Sequence, residues 1–156
     1  MITVCIPTRN EAGIVDAVIE GVKPFAEEVL VIDGHSTDGT AEVARRHGAR
    51  VVVDNGKGKG DGIRVGIQEA QGDIIVFIDG DGSHEPRDIP KLVQPIVDGH
   101  ADMVIASRPK GGSDEFYMTG DGLIRQFGGN FITMMVNLRW NARLSDILNG
   151  FRAIKK

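Results

Sequence analysis

The chain has 156 residues, a formal net charge of −4 and a single cysteine, Cys5. This length suits one domain around a single hydrophobic core, and the acidic balance excludes a general attraction for nucleic acid. One cysteine excludes an intrachain disulfide and fits a reducing compartment. No apolar segment approaches the roughly 20 residues that cross a bilayer, so we expect a cytoplasmic protein.

The first third of the sequence predicts a strand, a helix and a second strand. Ile2–Ile6 is an apolar run ended by Pro7. Asn10 can cap a helix from Ala12 to about Val22, because its side chain accepts a hydrogen bond from a first-turn N–H. The apolar residues of that helix share one face: Ile14, Val15, Val18 and Ile19. A second apolar run, Val29–Asp33, follows and ends on an aspartate.

The middle of the chain continues this alternation. A polar turn, residues 34–40, precedes a short helix that Gly48 stops. Residues 50–54 form the third predicted strand. A loop rich in glycine and lysine, residues 56–62, then leads to a helix over residues 63–70.

The next segment predicts two more strands around a helix. Asp73–Asp79 is a buried strand, Pro86 and Asp88 open a helix that ends at Gly99, and residues 102–107 form a fifth strand. Strands that alternate with short helices predict an α/β fold, with a mostly parallel, Rossmann-like sheet flanked by helices.

After Arg108 the pattern changes. Residues 123–138 predict a helix that is apolar on most of its circumference. Such a helix is either buried in a core or interface, or it lies on a membrane surface. A peripheral location on the cytoplasmic face of a membrane therefore stays open.

The strand that ends at Asp79 carries the clearest chemical signal. Asp79 and Asp81 lie where this strand leaves the sheet, and side chains two residues apart in an extended segment point the same way. Paired carboxylates repel each other unless a cation lies between them. Magnesium is commonly held by one or two carboxylates together with substrate phosphates. The pair therefore indicates a divalent-metal site that receives a diphosphate, and the alternative is an ordinary solvated turn.

Common nucleotide and hydrolase motifs are absent from the sequence. Gly58-Lys59-Gly60 does not continue as Gly-x-Gly-x-x-Gly, and neither Gly-x-x-x-x-Gly-Lys-[Ser/Thr] nor Gly-x-Ser-x-Gly occurs. These absences argue against a dinucleotide oxidoreductase, a P-loop NTPase and an α/β-hydrolase. Ligands of open parallel sheets bind outside the carboxyl ends of the strands.

At those strand ends the chain resembles family 2 glycosyltransferases in four successive motifs. The motifs are residues 4–11, residues 31–40, Gly58-Lys59-Gly60 and Asp79-Gly80-Asp81. Downstream, the sequence resembles the dolichyl-phosphate mannose synthase branch of the family. The segments that carry this second resemblance are Ser107-Arg108, residues 125–130, Asp146 and Gly150-Phe151-Arg152.

The resemblance implies a GT-A fold and inverting transfer of a hexose from a GDP- or UDP-sugar, with Mg²⁺ or Mn²⁺ as the cofactor. It implies that Asp79 and Asp81 bind the metal and act in catalysis. The implied nucleotide-binding residues are Pro7, Thr8, Asn10, Glu11, Asp33, Lys59, Gly60, Asp79 and Gly80. The implied binding residues for an acceptor phosphate are Arg108, Arg125 and Arg152.

Four positions depart from the family pattern: Arg9 replaces a tyrosine, Gly34 a second aspartate, Ser83 a glutamine, and Asn149 a serine or cysteine. In the dolichyl-phosphate mannose synthase branch, that glutamine provides a third contact to the metal. Serine at position 83 leaves open which residue provides this contact here. Family members usually continue with helices or membrane segments. The resemblance therefore predicts that residues 1–156 are a single catalytic domain truncated at its C terminus.

Three hypotheses on function remain. A polyprenyl or dolichyl phosphate acceptor would be ionised near neutral pH, because its second pKa is about 6, and would need no protein base. A saccharide hydroxyl acceptor would need a carboxylate base, for which Asp146 is the candidate. A nucleotide-sugar-binding module without turnover is the third. The sequence does not fix the oligomeric state.

Overall fold

The computed structural model describes residues 1–107, 133–139, 144–146 and 148–156. Its strands are β1 (Ile2–Thr8), β2 (Glu28–Asp33), β3 (Arg50–Val53), β4 (Ile74–Phe77), β5 (Met103–Ile105) and β6 (Arg152–Lys155). Its helices are α1 (Val15–Val22), α2 (Thr40–Arg46), α3 (Lys59–Glu69) and α4 (Ile89–Val97). Short 3-10 turns cover Lys23–Phe25 and Pro86–Asp88.

The six strands form one sheet in the order β3-β2-β1-β4-β6-β5. β1 pairs in parallel with β2 and with β4, and β2 pairs in parallel with β3. β6 is antiparallel to β4, with Phe77 opposite Arg152. The predicted, mostly parallel α/β sheet is therefore confirmed. β6 was not predicted, because a four-residue strand is too short to show a periodicity, and its partner lies far away in the sequence.

Apolar side chains alternate between the two faces of the central strands, as the period of two requires. On one face, Cys5, Leu30, Ile32, Ile75 and Phe77 form a buried cluster that packs against α3 residues. On the other side, the apolar residues of α1 and α4 are buried. Because both faces are covered, the polar carboxyl ends of β1, β2 and β4 form the edge at which ligands can enter.

The first helix begins later than predicted. α1 starts at Val15 rather than Ala12, because the amides of Ile14 and Val15 first close a turn on the carbonyl of Glu11. Asn10 does not cap the helix. It has a φ of +58°, and its Oδ1 accepts a hydrogen bond from the Thr37 N–H at 2.9 Å.

Two other boundaries also differ from the prediction. β1 continues through Pro7 to Thr8. The missing N–H of proline is tolerated there because the pairing of β1 with β4 already ends at Cys5. α3 begins at Lys59, four residues before the predicted start at Ile63. The carboxylate of Asp61 fixes this first turn by accepting a hydrogen bond from the Asn55 N–H at 2.7 Å.

Contacts divide the chain into two compact units: Met1–Val104 with Phe151–Lys156, and Ile105–Gly150. The single catalytic domain over residues 1–156 stays a prediction.

Of the predicted helix over residues 123–138, the first ten residues lie outside the described part, and residues 133–139 are helical. Met134, Met135 and Leu138 are exposed there. Within the described residues, every helix is too short or too polar to span a bilayer.

Gly72 fixes the approach of β4 to the start of β1, and its replacement tests this packing. A Cβ at Gly72 would lie 2.7 Å from both the Met1 carbonyl oxygen and the Thr3 nitrogen, which are backbone atoms. We expect Gly72→Ala to lower the free energy of unfolding by about 1–3 kcal/mol, measured by chemical denaturation. At Gly13 a Cβ meets nothing within 4 Å, so Gly13→Ala should change stability by less than about 0.5 kcal/mol. Equal losses in the two variants would contradict the packing at Gly72.

Candidate functional site

A cavity of about 570 Å³ opens at the carboxyl ends of β1, β2 and β4. Six of the residues predicted for the site line it: Pro7, Thr8, Glu11, Lys59, Asp79 and Asp81. Pro7 and Thr8 end β1, Glu11 follows them, Lys59 opens α3, and the two aspartates follow β4. The parallel order of β2, β1 and β4 brings these segments together, because parallel strands present their carboxyl ends at one edge.

Asp79 lies between two cationic or potentially cationic side chains. Its Oδ2 is 3.7 Å from His84 Nε2, and its Oδ1 is 2.6 Å from the Lys59 ammonium. The contact with His84 and the ion pair with Lys59 lower the pKa of Asp79 to about 2, against the opposing effect of burial. Asp79 is therefore a carboxylate at every physiological pH.

Glu11 and Asp81 add two more carboxyl groups to the same wall of the cavity. Burial, followed by the charges of Asp81 and Asp79, raises the pKa of Glu11 to about 7. Among the described residues, none donates a hydrogen bond to the buried Glu11 Oε2. Asp81 is exposed, and its Oδ1 accepts a hydrogen bond from the Ser83 N–H at 2.9 Å. The wall therefore concentrates negative charge and offers oxygen atoms that lack donors.

Gly80 allows these carboxylates to crowd together. A Cβ at Gly80 would lie 2.7 Å from Thr8 Cγ2 and would also collide with the carboxylate of Glu11. The backbone between Asp79 and Asp81 therefore packs directly on the segment after β1. Gly80 permits this close approach, and its role in nucleotide binding stays a prediction.

The cavity fits a divalent cation with a diphosphate. Asp79 and Asp81 supply hard oxygen donors of the kind that Mg²⁺ prefers. The described residues contain no cluster of three or more His, Cys, Asp or Glu side chains that could hold a metal alone. A cation would then need ligands from the substrate as well, as magnesium sites that bind phosphates commonly do. The N-terminus of α3, at Gly58 and Lys59, lines the same cavity and favours anions.

Four predicted nucleotide contacts do not line this cavity, and Gly80 is one of them. Asn10 is exposed and holds the turn after β2 through Thr37. Asp33 is 4% exposed, and its Oδ2 accepts a hydrogen bond from the Ser36 N–H at 3.0 Å, which stabilises its own turn. Gly60 lies within the first turn of α3. Their roles in nucleotide binding stay predictions.

The predicted acceptor residues are only partly described. Arg108 and Arg125 lie outside the described residues. Arg152 begins β6 and pairs with Phe77 of β4. Because Phe77 is two residues before Asp79, the backbone of Arg152 lies near the end of β4. Asp146 belongs to the second unit. The register therefore supports the placement of Arg152 near the end of β4, and the roles of all four residues stay predictions.

Sequence reasoning missed His84 and Asp54. His84 contacts Asp79, and its ring packs against Phe151 with 5.2 Å between ring centroids. Because His84 follows Asp81 by only three residues, the sequence could have indicated that its side chain lies near the two aspartates. Asp54 follows β3 and lines the cavity. It could have been found from its place at a strand end, but it was assigned to the strand itself.

The sequence model of glycosyl transferase family 2 matches residues 3–156. The chain belongs to this family. Glycosyltransferase AglJ of Haloferax volcanii is 37% identical to the chain over 161 residues, which cover 98% of this chain and 50% of that protein. The low-salt glycan biosynthesis hexosyltransferase Agl6 of the same organism is 31% identical over 160 residues, 99% of this chain and 38% of that protein. The chain thus spans half or less of the length of these family members.

Solved structures of similar enzymes share the fold. Glucosyl-3-phosphoglycerate synthase of Mycobacterium tuberculosis, in complex with Mn²⁺, UDP-glucose and phosphoglyceric acid, matches with a TM-score of 0.77 and 27% identity. The match covers 99% of this chain and 56% of that one. Mannosyl-3-phosphoglycerate synthase of Rubrobacter xylanophilus matches with a TM-score of 0.74 and 25% identity, over 99% of this chain and 53% of that one. The fold is GT-A, as predicted.

Replacing Lys59 tests the electrostatics of the cavity. In Lys59→Met without metal, the pKa of Asp79 should rise from about 2 toward its ordinary value of 3.8, because the carboxylate loses its ammonium partner while His84 remains. A ¹³C NMR titration of the Asp79 carboxyl group measures this shift. Lys57 is exposed on the same loop, and Lys57→Met should leave the Asp79 titration unchanged. An unaltered titration in Lys59→Met would contradict the ion pair.

Proposed function

We propose that the chain is the donor-binding and catalytic part of an inverting hexosyltransferase. It would move a hexose from a GDP- or UDP-sugar, such as GDP-mannose or UDP-glucose, to a polyprenyl or dolichyl phosphate. The observation that carries this proposal is the crowding of Glu11, Asp79 and Asp81 around one cavity at the carboxyl edge of the sheet. A divalent cation balances such a concentration of negative charge, and a diphosphate would supply its remaining ligands.

Asp79 and Asp81 would hold the cation, Mg²⁺ or Mn²⁺. The bound cation would neutralise the charge that develops on the diphosphate leaving group. The presence of Mn²⁺ with UDP-glucose in the similar synthase supports this assignment. The two aspartates are suited to it because Asp79 stays ionised and Asp81 is exposed at the mouth of the cavity.

Lys59 would then change partners. Its ammonium neutralises Asp79 at 2.6 Å in the structure, and a cation on Asp79 would repel it. The lysine side chain is 59% exposed and free to turn toward a diphosphate in the same cavity. There it would form charge-assisted hydrogen bonds with the phosphate oxygens. The N-terminus of α3 would stabilise the same negative charge.

A phosphate acceptor would bring its own nucleophilic oxygen, already ionised near neutral pH. Arg152, beside the end of β4, is the described candidate to bind it, since a guanidinium pairs with phosphate in two parallel hydrogen bonds. We place this reaction at the cytoplasmic face of a membrane, where a polyprenyl phosphate would be anchored. The exposed Met134, Met135 and Leu138 are suited to such a surface.

Transfer to a saccharide hydroxyl is the second candidate. It is favoured by the similarity to Agl6, a hexosyltransferase of glycan biosynthesis. This reaction needs a base to remove the hydroxyl proton, and Asp146 would supply it. A module that binds nucleotide sugar without turnover is the third alternative, and an assay of sugar transfer separates it from the first two.

The metal assignment predicts a selective loss in Asp81→Asn. Its affinity for GDP or UDP in Mn²⁺ should fall at least about tenfold, whereas the weaker affinity in EDTA should not change. Isothermal titration calorimetry measures both. Asp73→Asn is the matched control, because Asp73 lies at the opposite end of β4 and is 86% exposed. Wild-type affinity of Asp81→Asn in Mn²⁺ would exclude Asp81 as a metal ligand.

The phosphate acceptor predicts that Asp146→Asn keeps most of its activity. Transfer from the preferred nucleotide sugar to a short polyprenyl phosphate should change less than about fivefold, because no proton has to be removed from the acceptor. With a hydroxyl acceptor, the loss of the base would slow transfer by about 10²–10⁴-fold. The assay measures both acceptors with a chain that includes any C-terminal continuation. A hundredfold loss with polyprenyl phosphate, in a variant that still binds nucleotide, would favour the hydroxyl mechanism.

A further inference from the structure

Asp54 is a buried carboxylate with one oxygen available to a ligand. It follows β3 directly, its side chain is only 8% exposed, and it lines the cavity. Its Oδ1 accepts a hydrogen bond from the Gly56 N–H at 2.8 Å and lies 3.5 Å from His35 Nε2. No described residue donates a hydrogen bond to Oδ2. A ligand with an N–H group would therefore find an acceptor in this oxygen.

Two glycines leave room for such a ligand beside Oδ2. A Cβ at Gly34, after β2, would lie 3.8 Å from Asp54 Oδ2, and a Cβ at Gly62, on α3, would lie 3.5 Å from it. Both glycines line the cavity. Their missing side chains keep the surroundings of the carboxylate open, where a larger residue at either position would fill the space.

The cavity therefore has two chemically different ends. Lys59, Asp79 and Asp81 make one end charged, and it is suited to the cation and diphosphate. At the other end, Ile32 and Asp54 both lie beside Gly62, and Pro7, Arg9 and His35 also line the cavity. An apolar side chain beside a carboxylate that accepts a hydrogen bond suits a flat, heteroaromatic group. In a nucleotide sugar that group is the base.

A carboxylate accepts hydrogen bonds and donates none, so it distinguishes bases by the ring nitrogen that they present. Uracil and guanine carry a hydrogen on this nitrogen, whereas cytosine and adenine carry a lone pair there. A lone pair facing Asp54 would be repelled by the carboxylate. We propose that Asp54 selects the donor base by accepting a hydrogen bond from a ring N–H, and so admits uracil or guanine and rejects cytosine and adenine.

This inference rests on the proposed nucleotide-sugar function and adds to it the residue that selects the base. Asp33, predicted from the sequence to hold the base, is less suited. Its neighbours Ile32 and Gly34 line the cavity and Asp33 does not, since successive side chains of a strand point to opposite faces. Asp54 is the carboxylate that reaches the cavity at this end.

The test compares pairs of bases in which this ring nitrogen does or does not carry a hydrogen. Affinities for UDP, CDP, GDP and ADP are measured in Mn²⁺ by calorimetry for the wild-type chain and for Asp54→Asn. The wild type should prefer UDP to CDP, or GDP to ADP, and the pair that shows the larger preference identifies the base. In Asp54→Asn that preference should fall at least about tenfold, because the amide offers an N–H to a ring lone pair. The amide oxygen can still accept the hydrogen bond from Gly56.

Asp61→Asn is the control for damage to the loop. Asp61 holds the same loop through the Asn55 N–H but does not line the cavity. Its replacement should weaken all four nucleotides alike and leave the preference unchanged. A wild-type chain without base preference, an unchanged preference in Asp54→Asn, or an equal change in Asp61→Asn would overturn the role of Asp54. Failure of all four nucleotides to bind would instead contradict the proposed function itself.

Discussion

Electrostatic repulsion at the end of β4 is the constraint on which the site depends. Glu11, Asp79 and Asp81 share one wall of the cavity, and burial makes the charges of Glu11 and Asp79 costly. The structure relieves part of this cost with Lys59 and His84, which both contact Asp79. The remaining charge explains why the site should take up a divalent cation. A bound cation would reduce the repulsion among these carboxylates. The diphosphate would supply its remaining ligands, so the protein itself needs no cluster of three ligands.

The strand order of the GT-A sheet brings these carboxylates together at one end of the cavity. Parallel pairing of β1 with β2 and with β4 brings three polar segments to one edge, and Gly80 lets two of them touch. The end of the cavity that carries Lys59, Asp79 and Asp81 then lies at β4, and the end toward β2 and β3 carries Ile32 and Asp54. One cavity thereby offers separate surroundings to the diphosphate and to the base.

The fold and the charged end of the site could be predicted from the sequence, because they follow from local patterns. Apolar runs ending in aspartate, such as the one before Asp79, predict both a buried strand and a ligand at its carboxyl end. What the sequence could not show depends on distant contacts. β6 pairs with β4, which lies far from it in the sequence. Asp33 ends β2 and Asp54 follows β3, and only the structure shows that Asp54 lines the cavity while Asp33 accepts a hydrogen bond from the Ser36 N–H.

The most direct test of the site is to map where Mn²⁺ binds. In ¹⁵N–¹H NMR spectra of the chain with UDP or GDP, substoichiometric Mn²⁺ broadens the amide signals near it. The signals of Glu11, Lys59 and residues 79–81 should be lost first, because these residues surround the cavity. Those of Asp73 and Gly72, before the opposite end of β4, should persist. Broadening centred elsewhere, or no broadening in the presence of nucleotide, would contradict a metal–diphosphate site at the end of β4.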